Sequence, residues 1–470
     1  MESTLQQLFA DWAGEQAQDI LKLSANGSNR LYWRIIGESH RCIAAFNDDI
    51  RENKAFFYYS KTLGNKGIRV PQVYIIDHSK RFYLQEDLGD TTLYNYVYDK
   101  RRLSGGFDTE VLNVYKKVLS DLCDIQLAGR DMDFSNAYPR MAFDSQSIQW
   151  DLNYFKYYFL KLKHIQFDEE LLERDFHSLI EFLLSTDCNF FLYRDFQSRN
   201  IMLKNGTPYY IDFQGGRRGA AQYDVASLLY SAKSDIPEPI RQELLIHYLN
   251  CLTQKCSISK DEFLHYFWGY VLIRIMQAMG AYGYRGYFER KEYFLSSIPL
   301  AVNNLRNIIE RHPLPIQLPH LSQVWHQIAQ SELSQSNPPQ SSGLTVTITS
   351  FSYKKGLPQD PSGNGGGYVF DCRALPNPGR YPEYRCYTGK DKPVIDFFHG
   401  DEAVELFLQG AKQLVGPSIK KYLERNFSSL TVCFGCTGGQ HRSVYCAERM
   451  AEWIKNNFDC QVIIIHREQG

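Results

Sequence analysis

Two short stretches, "RDFQSRN" and "YYIDFQGG", carry residue types at a spacing that suits phosphoryl-transfer chemistry. A carboxylate acting as a base must reach a hydroxyl, and a metal-bound phosphate needs hard oxygen ligands close by. One loop offers both, with Asp195 as base and Asn200 as a ligand for Mg²⁺, and Arg199 between them joins the catalytic set. Asp212, ending an apolar strand further on, is placed to hold a second face of the ion. A D-x-x-x-x-N string alone is ordinary turn chemistry. Its weight comes from the second aspartate at a suitable distance and from the elements around both.

Those elements begin with a Gly/Ser/Asn loop, "LSANGSNRLYWRI", that leads into a strand and can offer backbone N–H groups of Asn26, Gly27, Ser28 and Asn29 to phosphate oxygens. Arg30 and Arg34 follow as candidate nucleotide-binding cations. "LYWRII" and "RCIAAF" read as a hairpin around "GESH", and "RENKAFFYYSKTLGNKG" as a helix stopped at Gly67. "VPQVYIID" and "RFYLQEDL" are two further strands. The end of the second, Gln85, Glu86 and Asp87, falls where a hinge between lobes would hold an adenine edge through backbone groups. From about Thr109 onward helical periods dominate, interrupted by the two stretches quoted first, which read as short strands.

The chain has 470 residues, 44% of them apolar, which favours about two or three compact units with real cores. With a net charge of −1, nothing global points to a partner chosen by gross charge, such as a polyanion or a membrane surface. "MESTLQQLFADWAGEQ" has no apolar core of the signal-peptide kind, and the eleven cysteines are odd in number, so reduced thiols in a cytoplasm are expected. The longest apolar run, "YFWGYVLIRIMQAMGAYGY", carries Arg274 near its middle and reads as a buried helix, so no membrane partner is expected. Cys433 and Cys436 have redox-motif spacing, but with no second pair nearby they do not read as a zinc site. "SELSQSNPPQSSG" is linker chemistry and sets the expected domains: residues 1–330, with a small lobe to about 90 and a large lobe beyond, a linker at 331–343, and a second unit at 344–470.

In their order, "ANGSNRLYWR", "VPQVY", "EDLGDTTL", "RDFQSRNIM", "IDFQGG" and "YDVASLL" resemble the aminoglycoside-phosphotransferase-like sugar kinases. Within these the match is closest to the anomeric N-acetylmuramate/N-acetylglucosamine kinases of cell-wall recycling, and it spans about residues 5–325. The resemblance implies an α+β two-lobed, protein-kinase-like fold and ATP-dependent phosphorylation of the C1 hydroxyl of an amino sugar. It implies Asp195 as base, Asn200 and Asp212 on Mg²⁺, and Asp224 as a buttress of the loop. Two positions depart from the pattern. Tyr193 stands where the wider superfamily has a loop-shaping histidine, and "RCIAAFNDD" has no strand lysine, leaving Arg34 or Arg30 to face the phosphates. The helix "WDLNYFKYYFLK" is either core or the aromatic wall of a sugar pocket.

A second constellation lies in "LTVCFGCTGGQHRSVYCAERMAEWI", where an apolar strand runs through Cys436, Thr437, Gly438, Gly439, Gln440, His441, Arg442 and Ser443 straight into a helix. Tightly turned glycine backbone and a helix N-terminus make an anion site, and Arg442 adds a fork for phosphate. The same residues fit C-x5-R, in which Cys436 would be a thiolate nucleophile with Asp371 or Asp391 as acid. "SFSYKKGLP", "VFDCRALPNP", "YTGKDKPVIDFF", "GCTGGQHRSVYCAE" and "IIIHRE" resemble the C-terminal domain of the RapZ family of RNase adapter proteins, a smaller α/β domain. That resemblance implies a site for an amino-sugar phosphate made by Asp371, Arg373, Asn377, Thr388, Gly438, Gly439, His441, Arg442 and Ser443. RNA contact carries over less well, because the charges of this unit nearly balance and "HREQG" is not a basic tail.

Both halves point to phosphorylated amino sugars. The expectation is a Mg·ATP-dependent amino-sugar kinase with a sugar-phosphate-binding domain. The rival expectation is a regulatory sensor or RNA adapter with an inactive or weak kinase unit. Oligomeric state is left open.

Overall fold

The computed structural model describes residues 1–23, 30–104, 106–289, 291–331, 344–358, 367–425, 427 and 429–469. Asn26, Gly27, Ser28 and Asn29 lie outside the described residues, as does the expected linker from 332 onward. The chain divides into two compact units: Met1–Arg290 with Phe294–Ser336, and Lys291–Tyr293 with Asn337–Gly470.

In the first unit, strands β1 (Asp19–Leu23), β2 (Leu31–Ile36), β3 (Arg41–Phe46), β4 (Val73–Ile76) and β5 (Phe82–Gln85) form an antiparallel sheet in the order β1-β2-β3-β5-β4. The β2–β3 hairpin closes where the Gly37 N–H donates to His40 O at 2.8 Å. Alternation along β3 and β5 gives the sheet two apolar faces. Ala44 and Leu84 face the helix Glu2–Ala13, which supplies Leu5, Leu8 and Phe9. Ala45 and Tyr83 face the helix Ile50–Asn65, which supplies Ala55, Phe56, Tyr59 and Leu63. The Asp49 side chain caps that helix by accepting the Arg51 and Glu52 N–H groups, and Gly67, at φ 80°, takes the left-handed turn after it.

The large lobe is mostly helical, with long helices at Thr109–Ala128, Ser145–Phe155, Glu169–Leu184, Glu238–Lys255, Lys260–Tyr282 and Ile298–Arg311. Among the described residues it also has four short strands where local pattern suggests two. β7 (Ile201–Lys204) and β8 (Thr207–Tyr210) are a hairpin, but β6 (Phe190–Leu192) pairs with β9 (Arg217–Gly219) across the whole intervening loop. Such a non-local pair leaves no signature in a sequence window. β8 stops at Tyr210, so Asp212 sits in the loop beyond the strand, at φ 69°. The helix Lys260–Tyr282, which carries Arg274, packs backbone to backbone on Ser145–Phe155. A Cβ on Gly283 would lie 1.8 Å from Tyr158 O, so only glycine fits there. Each of these helices continues into a π-helical turn, Lys156–Leu160 and Gly283–Phe288. The result is the α+β two-lobed, protein-kinase-like architecture.

In the second unit, β10 (Thr345–Ser352), β11 (Tyr368–Asp371), β12 (Ser429–Cys436) and β13 (Gln461–His466) form a parallel sheet in the order β11-β12-β10-β13. Val346, Ile348, Val432 and Phe434 share a core with Val404, Leu408 and Val415 of the helix Glu402–Glu424, and with Met450 and Ile454 of the helix Arg442–Asn457. Cys433 and Cys436 lie in one strand at an odd separation, so their side chains leave opposite faces of the sheet and do not form a redox pair. All eleven cysteines are free. Among the described residues no helix is long and apolar enough to cross a membrane.

Candidate active site

The loop after β6 is held from below. Asp224, in the first turn of the helix Gln222–Leu229, is fully buried, and its carboxylate accepts the N–H groups of Tyr193 at 2.7 Å and Arg194 at 3.0 Å. Burial pushes this carboxyl up to about 7, against the pull of those two donors. The Tyr193 hydroxyl, also buried, donates to Ile211 O at 2.5 Å and ties the loop to the end of β8. A tyrosine thus shapes the loop at the position where histidine is usual. Arg194 sits at φ 84°, a strained backbone for an L-residue, and its guanidinium is clamped by both Asp151 oxygens at 2.7 and 2.6 Å and by the Tyr223 hydroxyl at 2.5 Å. The next residue is Asp195, whose side chain is left 48% exposed.

Asn200 closes the loop. Its Nδ2 donates to Asp195 O at 2.9 Å and to Asp212 Oδ2 at 3.2 Å, while Gln214 Nε2 donates to Asp212 Oδ1 at 2.7 Å. Asp195, Asn200 and Asp212 are therefore brought together. Asp212 is reachable by solvent yet walled by protein. That desolvation, and then the charge of Asp195, raises its pKa, with Gln214, Arg30 and Arg199 opposing. Arg199 is exposed on the turn Ser198–Asn200.

On the small-lobe side the two candidate cations have different fates. Arg34 is bonded to the hinge: its Nε meets Asp87 at 2.8 Å and its Nη2 meets Asp90 at 2.8 Å. Arg30 is 2% exposed, pairs with Glu52 of the helix Ile50–Asn65 at 3.2 Å, and lies 5.7 Å from the Phe56 ring centroid. Phe56 stacks on Phe213, the residue after Asp212, with centroids 5.1 Å apart, and Tyr59 donates to Gly216 O at 2.8 Å. This helix therefore grips the Asp212 segment from both ends. At the hinge the Glu86 carboxylate pairs with Lys204 at 2.6 Å, so the side chains of Glu86 and Asp87 are both engaged. The Gln85 Oε1 and Tyr83 hydroxyl, on the same face of β5, are buried and have no hydrogen-bond partner among the described residues.

The aromatic helix divides by face. Phe155, Phe159 and Leu160 are core, whereas Trp150 and Tyr157 are exposed, and Tyr154 and Tyr158 pack edge-on with each other. Sequence patterns alone miss Asp151, Gln214 and Arg274. Asp151 and Arg274 are far from the loop in the chain and sit on elements that read as core, whereas Gln214 lies two residues after Asp212 in the quoted stretch and only its contact reveals its part.

The candidate site of the second unit lies at the carboxyl ends of its parallel strands, where open α/β sheets form ligand crevices. Cys436 ends β12, 3% exposed, with its Sγ accepting the Gly439 N–H at 3.2 Å and lying 3.2 Å from Ser443 Oγ. Gly439 turns at φ 74°, and Thr437 and Gly438 are exposed at the loop tip. Arg442, expected as a fork for phosphate, is 6% exposed and its Nη1 donates to Arg373 O at 2.7 Å and Leu375 O at 3.2 Å. It thereby pins the segment after β11 to the loop. Asp371 pairs with Arg373 at 2.6 Å, and Arg373 lies over Tyr353 at 4.1 Å. His441 and Asn377 both border Gly379, and the His441 ring nitrogen is 3.0 Å from Tyr384 O. Thr388 is tied to Asp391 at 2.6 and 2.9 Å, next to Gly389, whose N–H donates to Gln440 O at 2.9 Å.

A two-lobed kinase-like fold with an aspartate, an asparagine and a second aspartate at its cleft defines a class, the kinase-fold phosphotransferases. The chain belongs to the phosphotransferase enzyme family, whose model matches residues 19–255, and residues 344–470 match the RapZ C-terminal domain. Curated relatives include a nucleotide-binding protein of Chromobacterium violaceum, 43% identical over 125 residues, and one of Neisseria gonorrhoeae, 40% identical over 126 residues. Each alignment takes in 27% of this chain, which spans 42% of the length of those relatives. Among solved structures, a choline kinase from Cryptosporidium parvum aligns over 69% of this chain and 99% of its own, at 12% identity and a TM-score of 0.46. An ADP-bound aminoglycoside phosphotransferase aligns over 69% of this chain and 99% of its own, at 13% identity and a TM-score of 0.43.

Proposed function

We propose that the first unit transfers the γ-phosphoryl group of ATP to a hydroxyl of an amino sugar of the N-acetylmuramate or N-acetylglucosamine type, at C1, and that the second unit binds an amino-sugar phosphate. The observation that carries the reading is the joining of Asp195, Asn200 and Asp212 through one amide, on a loop that buried side chains hold in a strained shape. Asp195, half exposed in the cleft, takes the proton of the attacking hydroxyl.

The donors around Asp212 suit Mg²⁺. Two carboxylates lie close enough for one to raise the pKa of the other, and an amide stands beside them. Mg²⁺ needs only one or two carboxylates from a protein when phosphates complete its shell. Asp212 and Asn200 would hold it, and the ion would neutralise charge on the phosphates. Arg30 would face the nucleotide's phosphates, since Arg34 is held by Asp87 and Asp90, and the backbone from Gln85 to Asp87 would face its base. One feature favours the regulatory reading instead: β3 offers Ala44 and Ala45 where a lysine is usual.

The test is ATP consumption, with NMR of the product, across N-acetylmuramate, N-acetylglucosamine, glucosamine and neutral hexoses, beside an Asp195→Ala control. Turnover that needs Asp195 is expected, and phosphorus–proton coupling locates the new phosphate. A folded chain that binds nucleotide and phosphorylates none of these sugars would refute the kinase reading in favour of the regulatory one.

A further inference from the structure

We propose that Arg274, delivered from the helix Lys260–Tyr282, is the cation that contacts the transferred phosphoryl group beside Asp195. The inference rests on the kinase reading. It concerns a residue far from the catalytic loop, in a helix that reads from its composition as plain core.

Three anchors fix this side chain. Its Nε donates to Ser227 Oγ at 3.0 Å, its Nη1 donates to Gln277 Oε1, and its guanidinium carbon lies 5.9 Å from the Tyr223 ring centroid. Ser227 is 1% exposed and shares a helix with Asp224, so the element that buttresses the loop also holds the arginine. Arg274 itself is 8% exposed. The remaining nitrogen, Nη2, is aimed at Asp195 Oδ1 from 3.5 Å. A charge-assisted pair closes to about 2.7–2.9 Å when nothing else competes for the donor. The longer separation leaves Nη2 able to take a second oxygen without moving its anchors.

Arg199 is exposed on the turn Ser198–Asn200 and acts on Asp212, while two other arginines nearby have other tasks. Arg194 is clamped by Asp151, and Arg217 donates through Nε to Gly215 O at 3.0 Å. Chemistry requires a cation at this point. Asp195 and the incoming phosphoryl group are both negative, and the hydroxyl must be held between them. In the transfer, the hydroxyl oxygen forms a bond to the γ-phosphorus, the bond from that phosphorus to the β–γ bridging oxygen breaks to leave ADP, and the hydroxyl proton passes to Asp195. Arg274 stays protonated throughout. Its Nη2 offsets the repulsion between carboxylate and phosphoryl group and stabilises charge on the equatorial oxygens as they spread in the transition state.

Steady-state kinetics with ATP and the best sugar from the panel above test this in Arg274→Gln, Arg274→Lys and Ser227→Ala. Removing the charge is expected to lower kcat about a hundredfold, the usual scale for one preorganised donor to a transition state. The KM for ATP should stay within about threefold, since the contact forms during transfer. Arg274→Lys should recover at least about a tenth of wild-type kcat, which a purely packing role would not allow. If Arg274→Gln does not fold, Ser227→Ala, which frees Nε, should lower kcat with KM for ATP unchanged. A wild-type chain with no turnover sinks the kinase reading and this assignment together. A wild-type chain that turns over beside a folded Arg274→Gln of similar kcat, or a Ser227→Ala of unaltered kcat where the glutamine variant does not fold, sinks this assignment alone.

Discussion

Replacing Arg30 with methionine is the sharpest probe of the small lobe, because β3 brings no lysine to the cleft and two arginines compete for that role. Arg30 is 3% exposed at its side chain and Glu52, its partner at 3.2 Å, is 27% exposed. Breaking a fully buried ion pair costs about 3–5 kcal/mol, and the partial exposure of Glu52 brings the expected loss of stability to about 2 kcal/mol. The functional loss is separate. A unit charge about 4 Å from a phosphate oxygen interacts by at most about 4 kcal/mol at the effective dielectric of a partly open cleft. Competing hydration removes roughly half, so Mg·ADP should bind about 10–100-fold more weakly to Arg30→Met. Arg30→Lys keeps the charge and should lie within about fivefold of wild type. Arg34→Met should change affinity by less than about threefold, since Arg34 is already engaged by Asp87 and Asp90. Titration calorimetry with Mg·ADP, alongside thermal melts of each variant, reads both losses. Wild-type-like affinity in a folded Arg30→Met, with affinity lost in Arg34→Met, would refute the reasoning.

Two further outcomes follow from buried groups. The Asp224 carboxyl is pushed up to about 7 from an ordinary value near 3.8, so between those values the folded chain binds its proton more tightly than the unfolded chain does. Its contribution to stability is thus fully present below about pH 4 and is lost as pH rises through about 7, and Asp224→Asn should flatten that part of a stability–pH curve measured by urea denaturation. In the second unit, Cys436→Ser should leave binding of glucosamine-6-phosphate within about threefold, because the buried thiol serves the loop through Gly439 and Ser443, whereas loss of a phosphate-releasing activity in that variant would establish the C-x5-R chemistry.

What could be read in the sequence was whatever is local. The small-lobe strands, the helix ending at the Gly67 stop and the D-x-x-x-x-N loop each fit within a short window, and the structure shows each of them, while the Asp49 cap of that helix is seen only in the structure. The β6–β9 pair and the place of Asp212 beyond the end of β8 are not local, since they depend on which distant segments meet. The two small-lobe arginines show the same limit. Arg30 directly precedes β2 and Arg34 lies within it, and only the tertiary partners, Glu52 for one and Asp87 with Asp90 for the other, assign them different tasks.

The acids of the cleft arise from the motif, which also carries Arg194 and Arg199, whereas further cations come from elsewhere. Asp195 and Asp212 are set by a few residues of loop and by one asparagine amide between them. Desolvation by the surrounding protein, and then repulsion from the Asp195 carboxylate, make Asp212 bind its proton more tightly than an isolated aspartate does. Positive charge also reaches this loop from other elements: Arg30, just before β2, acts on Asp212, and Arg274, from the middle of a buried helix, lies 3.5 Å from Asp195. Each source lies on a different part of the chain, so the charge balance is complete only when lobes, helix and loop are all in place. Folding and the capacity for phosphoryl transfer are therefore coupled through electrostatics, and a variant that removes one distant cation should alter the cleft without altering any residue of the motif that marks it.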